Sequence, residues 1–356
     1  MQMVRKGKLG ILATVLVLLA SLVMPLAAAQ AQTSPVQRAP LNLMTSPLPL
    51  NIVTKPGQTV TSELRVKNNG TRPERLKVEL LKFSANGETG SPQIKEREPK
   101  DTYFDWVSFS ETNFLAEPNV WKTVKMTIKT PKEAAFGYYL AVLFSRAAPD
   151  KPTGGASGVE GGVASLVLLN VDAPGAKREA QVAEFIATKK VYEFLPADFS
   201  VRMKNPGNVH VAPAGNIFVK RGDTQVAALE FNGQRGNILP QTNRVFEQTW
   251  NDGFPRFETK GTGSTATQEL TWNFQDLQKL RFGKYTATLV AVYDDGQRDI
   301  PVEAVVSFWV IPWRILGGLL LILLLVGVGV WAVFRSIWKG IRRRPGGPEG
   351  SVPAQS

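Results

Sequence analysis

From Leu48 onward, apolar residues recur at every second position in short segments separated by turn signals. Thr59–Lys67 sets Val60, Leu64 and Val66 among polar residues, and Leu76, Val78 and Leu80 repeat the spacing. Val124, Met126 and Ile128 mark a half-buried strand within Val120–Lys129. A period of two places such residues on one face of a strand. Lys55-Pro56-Gly57-Gln58, Asn68-Asn69-Gly70 and Asn86-Gly87 supply the turns. Tyr138–Ser145 and Ala164–Val171 complete the set. The second of these is apolar almost throughout, which suits the middle of a sheet. The loop Pro149–Gly162 between them reads as a long hairpin connection, and Ala173-Pro174-Gly175 as a domain boundary. Roughly seven or eight short strands with no convincing helix predict a β-sandwich over residues 41–175.

The second half of the chain repeats the first. Arg65-Val66-Lys67-Asn68-Asn69-Gly70 matches Arg202-Met203-Lys204-Asn205-Pro206-Gly207. Phe136-Gly137-Tyr138-Tyr139-Leu140-Ala141-Val142-Leu143 matches Phe282-Gly283-Lys284-Tyr285-Thr286-Ala287-Thr288-Leu289. In the shared pattern F-G-x-Y-x-A-x-L the glycines Gly137 and Gly283 permit a sharp turn into a strand. Tyr139 and Tyr285 each bury a ring while the hydroxyl bonds backbone across the corner. These four residues are therefore expected to serve folding. A second sandwich follows over residues 176–312. It carries an insertion in Asn251–Leu280, where a Gly/Ser/Thr-rich loop precedes Trp272–Leu280, a short helix with Phe274, Leu277 and Leu280 on one face.

Two long apolar runs frame this region. Ile315–Phe334 is uncharged over a length that spans about 30 Å as a helix, the thickness of a bilayer core. Trp309 and Trp313 precede it, and Trp331 and Trp338 lie at its far side, where an aromatic belt forms. Arg335, Lys339, Arg342, Arg343 and Arg344 follow, and basic flanks stay cytoplasmic. A transmembrane helix is therefore expected over 313–336, with a basic cytoplasmic tail over 337–356. At the other end, Arg5, Lys6 and Lys8 precede the apolar run Leu9–Leu26 and the small residues Ala27–Ala31, the layout of a secretory signal peptide over residues 1–31. The apolar run is also long enough for an uncleaved anchor. A polar, proline-containing leader occupies residues 32–40. Either way the part between the runs is exported, which places the protein in the cell membrane with a single pass and its ectodomain outside.

The chain carries a net charge of +12. The amino-terminal region holds three of these charges, Arg314 one and the tail a net four, leaving +4 for the exported part. The basicity thus reports membrane topology and gives no support for a nucleic-acid partner. There is no cysteine and one histidine, His210, so zinc sites and Ser-His or Cys-His catalysis have almost no material. No cofactor or metal is expected. Asp294-Asp295-Gly296 between two strands reads first as a hairpin turn. Trp106, Phe109, Phe114 and Trp121 are the candidate binding residues. They read either as an aromatic glycan platform or as inward-facing core.

In the first half, W-V-x-F, then E-P-N-x-W, then P-x-x-A-x-x-G-Y-Y-x-A-V-L-F look like bacterial extracellular immunoglobulin-like domains. With the signal peptide, second β-domain, single span and basic tail, the layout resembles the WxL-interacting bacterial surface proteins. That resemblance implies an all-β ectodomain of two tandem immunoglobulin-like sandwiches on a C-terminal transmembrane helix. It also implies a first domain that binds peptidoglycan and a second that binds a host or partner protein. The chain has no W-x-L motif itself. The expected function is a surface binding, adhesion or scaffold protein without catalysis, its ligand a cell-wall polymer or an envelope or host protein. An accessory or sensor subunit of a membrane complex is the alternative. The insertion in the second sandwich is expected to hold a protein partner or to cover a sheet edge.

Overall fold

The computed structural model describes residues 40–147, 161–261 and 266–342. The expected signal peptide, nearly all of the leader, most of the Pro149–Gly162 loop, residues 262–265 of the insertion and the tail from 343 onward lie outside the described residues. The described chain is mostly β-structure with one C-terminal apolar helix.

Ten strands build the first half: β1 (Leu43–Ser46), β2 (Leu50–Thr54), β3 (Thr59–Asn68), β4 (Glu74–Ala85), β5 (Pro92–Lys95), β6 (Val107–Phe109), β7 (Asn113–Ala116), β8 (Trp121–Lys129), β9 (Phe136–Arg146) and β10 (Gly162–Val171). One sheet has the order β1-β3-β8-β6, the other β2-β10-β9-β4-β5, with β7 also on β4. The period-two residues Leu64, Val66, Val124, Met126 and Ile128 of the first sheet are fully buried. So are Leu76, Leu140, Val142 and Phe144 of the second, and the two sheets enclose a core between them.

The second half contains β11 (Gln181–Ala187), β12 (Val191–Tyr192), β13 (Ala197–Lys204), β14 (Ala214–Arg221), β15 (Thr224–Phe231), β16 (Asn243–Trp250), β17 (Arg256–Lys260), β18 (Thr267–Thr271), β19 (Gly283–Asp294) and β20 (Asp299–Val310). Its sheets run β11-β13-β16 and β12-β20-β19-β14-β15. The first half has β1-β3-β8 and β2-β10-β9-β4-β5 in the same places, so the internal repeat extends to strand order. Even the parallel edge pair recurs, as β2 along β10 and β12 along β20. Phe199, Val201 and Met203 of β13 meet Ile217, Val219, Tyr285 and Leu289 in one core. The insertion is the hairpin β17–β18 followed by a short 3-10 helix, Phe274–Lys279. Three residues beyond β20, α1 (Trp313–Arg342) begins. It is apolar and solvent-exposed over Trp313–Lys339, and long enough to cross a membrane.

Each half is closed at a matching corner. Asn68 is 1% exposed; its amide donates to the carbonyls of Arg72 and Ala116, and its Oδ1 accepts from Gly70 N. Asn205, fully buried, donates to Val209 and Ile238 and accepts from Gly207 N at 2.8 Å. The repeated asparagine thus plugs the same strand end in each copy, and the glycine two residues on lets the backbone fold back to its side chain.

Candidate functional site

The four aromatic candidates do not share a face. Phe114 is buried, its ring 6.4 Å from Phe144 in the core. Phe109, on β6, is half-buried. Trp106 ends a 3-10 turn and packs edge-on against Tyr138 at 4.9 Å, with Tyr103 beside both. Trp121 starts β8 and is 43% exposed. Tyr103, Trp106 and Tyr138 therefore form a cluster that no single motif announces. Burial pushes the Tyr103 hydroxyl up to about 12. Beside it, Lys82 bridges Glu98 and Asp101 at 2.8 and 2.9 Å. Hydrogen bonds from Lys100 and Lys82 hold the Glu98 carboxyl down to about 2.

The repeated corner needs one correction. The Tyr285 ring is 1% exposed and its hydroxyl accepts from Phe282 N at 3.2 Å. In the first copy the same bond is made by Tyr138, whose hydroxyl accepts from Ala135 N at 3.3 Å. The corner tyrosine is Tyr138, not Tyr139. Leu140, Val142 and Phe144 lie on the core face of β9, so Tyr139 and Ala141 point the other way, toward the second half. Strand alternation makes a one-residue offset a change of face. The glycines differ too. Gly283 has φ +110°, but in the first copy Phe136 takes the left-handed conformation, φ +71°. Gly137 instead leaves room for the Tyr139 hydroxyl, which a Cβ there would meet.

Tyr139 thereby becomes part of a joint between the halves. Its hydroxyl accepts from His210 N at 3.0 Å and lies 3.4 Å from His210 Nδ1. Burial raises the phenol well above its usual range and holds His210 down to about 4, with Arg178 adding repulsion. The imidazole is a neutral packing group at physiological pH. Phe83, Ala141 and Leu168, on the outward face of the first half's sheet, are capped by Leu239. This explains why β10 is apolar on both faces. Asp294 and Asp295 accept backbone N–H bonds from Gly296, Gln297 and Arg298, closing the β19–β20 turn.

Between the halves opens a cleft of about 740 Å³. Phe83, Leu166, Leu168 and Leu239 give it apolar walls, and the β4–β5 turn forms a lip. Glu88 on that lip accepts from Arg202 and from Asn243 at 3.0 Å, and its carbonyl accepts from Val245 N at 2.8 Å. Among the described residues the cleft lining includes two cations, Arg235 and Arg244, and no carboxylate. Arg244 donates through Nη1 to the Asn237 carbonyl at 2.9 Å and lies 5.0 Å from the Phe246 ring centroid. Its Nε is buried without a partner. Gly90 and Gly236 pack on the guanidinium, leaving no room there for a Cβ. Burial lowers its pKa, though arginine remains charged. A guanidinium in a cleft of mixed polar and apolar lining offers positive charge to a carboxylate or another anion. Sequence reasoning missed this site because its parts come from segments distant in the chain.

No family model matches this chain, and no curated protein matches it. Among solved structures, it is similar to the class 5 fimbriae chaperone CfaA at 16% identity, covering 65% of this chain and 100% of that one, with a TM-score of 0.34. The Escherichia coli chaperone DraB is 14% identical over 74% of this chain and 98% of its own, with a TM-score of 0.32. A PapD-like domain of human CEP192 is 14% identical over 42% of this chain and 98% of its own, with a TM-score of 0.24.

Proposed function

We propose that this is a membrane-anchored bacterial surface protein whose ectodomain, two immunoglobulin-like sandwiches, binds a carboxylate-bearing ligand of the cell envelope without turning it over. The ligand is a peptidoglycan peptide or the acidic segment of an envelope or host protein. Arg244 carries the reading: a partly buried guanidinium in a cleft whose lining, among the described residues, includes Arg235 as a second cation and no acid. The apolar, exposed helix α1 supports anchoring, and its basic C-terminal flank supports a cytoplasmic tail. His210, the chain's one histidine, is engaged by Tyr139 in the joint, which favours a binding role over acid–base chemistry. The reading draws also on the sequence's resemblance to WxL-interacting surface proteins. The test is a pull-down of the full chain in nanodiscs against peptidoglycan and envelope extract, with Arg244→Gln beside the parent. Losing a charged hydrogen bond predicts about tenfold weaker capture or more. Equal capture by a variant that melts like the parent refutes the assignment of the site.

A further inference from the structure

The insertion exposes a run of large apolar side chains that the cleft does not use. Phe274 is 71% exposed and Leu277 57%, with Trp272, Leu280 and Phe282 each 40% or more. The end of the molecule on which they lie follows from the strand register. Trp250 at the end of β16 pairs with Ala197 at the start of β13, and Gly283 at the start of β19 pairs with Val310 at the end of β20. The insertion joins β16 to β19, so it sits at the end where β20 hands the chain to α1. Contacts agree. Arg314 forms an ion pair with Glu193 at 3.3 Å, and the neighbouring Phe194 packs edge-on against Trp272 at 6.3 Å. Trp309 and Trp313 are also exposed at this end.

The charges beside the patch neutralise one another. Lys279 pairs with Asp252 at 3.0 Å and Asp276 at 3.1 Å, and Arg281 pairs with Asp252 at 2.8 Å. The apolar side chains therefore stand in surroundings with little free charge to hold them in water. Aromatic and aliphatic groups next to a membrane-crossing helix partition into the interfacial zone of the bilayer. The 3-10 turn itself is fixed from below. Asn273 caps it by accepting from Gln275 N at 3.2 Å, Phe254 N donates to the Lys279 carbonyl at 3.0 Å, and the Phe254 ring packs against Trp272 and Phe274. A braced turn presenting its apolar side chains outward is built to contact something.

We propose that the Phe274–Lys279 turn, with Trp272 and Leu280, is a second membrane contact that inserts shallowly into the outer leaflet beside α1. It would fix the tilt of the ectodomain, and so the direction in which the cleft faces. The inference rests on the membrane-anchored reading above, and the experiment separates the two. The chain has no cysteine, so single substitutions carry unique labels. An environment-sensitive fluorophore is placed on Phe274→Cys, Leu277→Cys, Leu324→Cys in mid-helix, and Thr71→Cys at the far end of the first sandwich. Each full-length variant is reconstituted in phosphatidylcholine–phosphatidylglycerol vesicles containing nitroxide lipids at shallow or deep positions. The expected result is loss of emission at 274 and 277 to the shallow quencher, loss at 324 to the deep one, and none at 71. Quenching at 324 with none at 274 and 277 overturns this contact alone and leaves the patch to a protein partner. No quenching at 324 overturns the anchor itself.

Discussion

Acidification charges His210 inside the joint between the two halves, and the cost can be worked out. Burial, with the nearby Arg178, holds the imidazole down to about 4, against 6.5 for a free histidine. The unfolded chain therefore takes up the proton more readily than the folded one. Stability from this group is complete above pH 6.5, declines as the pH falls toward 4, and changes no further below that. At about 1.4 kcal/mol per pH unit the whole window is worth about 3 kcal/mol, and the part between pH 7.5 and 5 about 2 kcal/mol. The carboxylates held low by their partners, Glu88, Glu98 and Asp101, lose their contribution at more acid pH, below their usual values of 4.5 and 3.8. The upper part of the window therefore belongs to His210. With one histidine in the chain, a ¹⁵N-histidine NMR titration observes a single ring. Denaturant melts of the parent and of His210→Gln at pH 7.5 and 5 measure the energy. The parent should lose about 2 kcal/mol that the variant does not. A ring titrating near 6.5, or equal losses in the two chains, refutes the reasoning.

Tyr139→Phe strands the His210 amide in the joint and should cost about 1–3 kcal/mol in a melt. Tyr285→Phe, which loses an acceptor for Phe282 N, should cost roughly 1 kcal/mol, and Tyr285→Ala about 3–5 kcal/mol; parent-like melting of all three refutes the joint and the corner together. Protease added to intact cells, with any outer barrier opened, should digest both β-halves and spare an epitope at the C-terminus. A tail cut from outside reverses the topology.

The strands were legible because their signal is local. Val60, Leu64 and Val66, or Val124, Met126 and Ile128, alternate over one strand each, and a half-buried sheet can satisfy that pattern in only one way. The repeat was legible for a related reason. Asn68-x-Gly70 and Asn205-x-Gly207 are side-chain plugs closed within a few residues, so the chemistry that conserves their shape also leaves a sequence mark. The same logic limited the corner. F-G-x-Y aligns Tyr139 with Tyr285 letter by letter, but the left-handed turn falls one residue earlier relative to that alignment, on Phe136. Two adjacent tyrosines then exchange roles. Identity of letters carries no information about which face a residue takes, and only the hydrogen bonds of Ala135 and Phe282 fix it.

The cleft lies beyond such reasoning because the surroundings of Arg244, which among the described residues hold no acid in the lining, depend on how the two halves meet. In the chain, Arg244 stands three residues before Glu247 and one after Asn243, an ordinary polar strand edge. On β16, however, Glu247 pairs with Ser200 across the strand, at 2.9 Å between Oε1 and Oγ, while Glu88 from the other half is taken by Arg202 and Asn243. Both acids are thus engaged by other partners. The joint that engages Glu88 also packs Gly90 on the guanidinium and closes Tyr139 over His210. The proposed ligand site and the joint therefore share parts. An acid shift that loosens the joint at His210 should reach the cleft through the β4–β5 lip, so capture of ligand should weaken over the same pH range in which the parent, but not His210→Gln, loses stability.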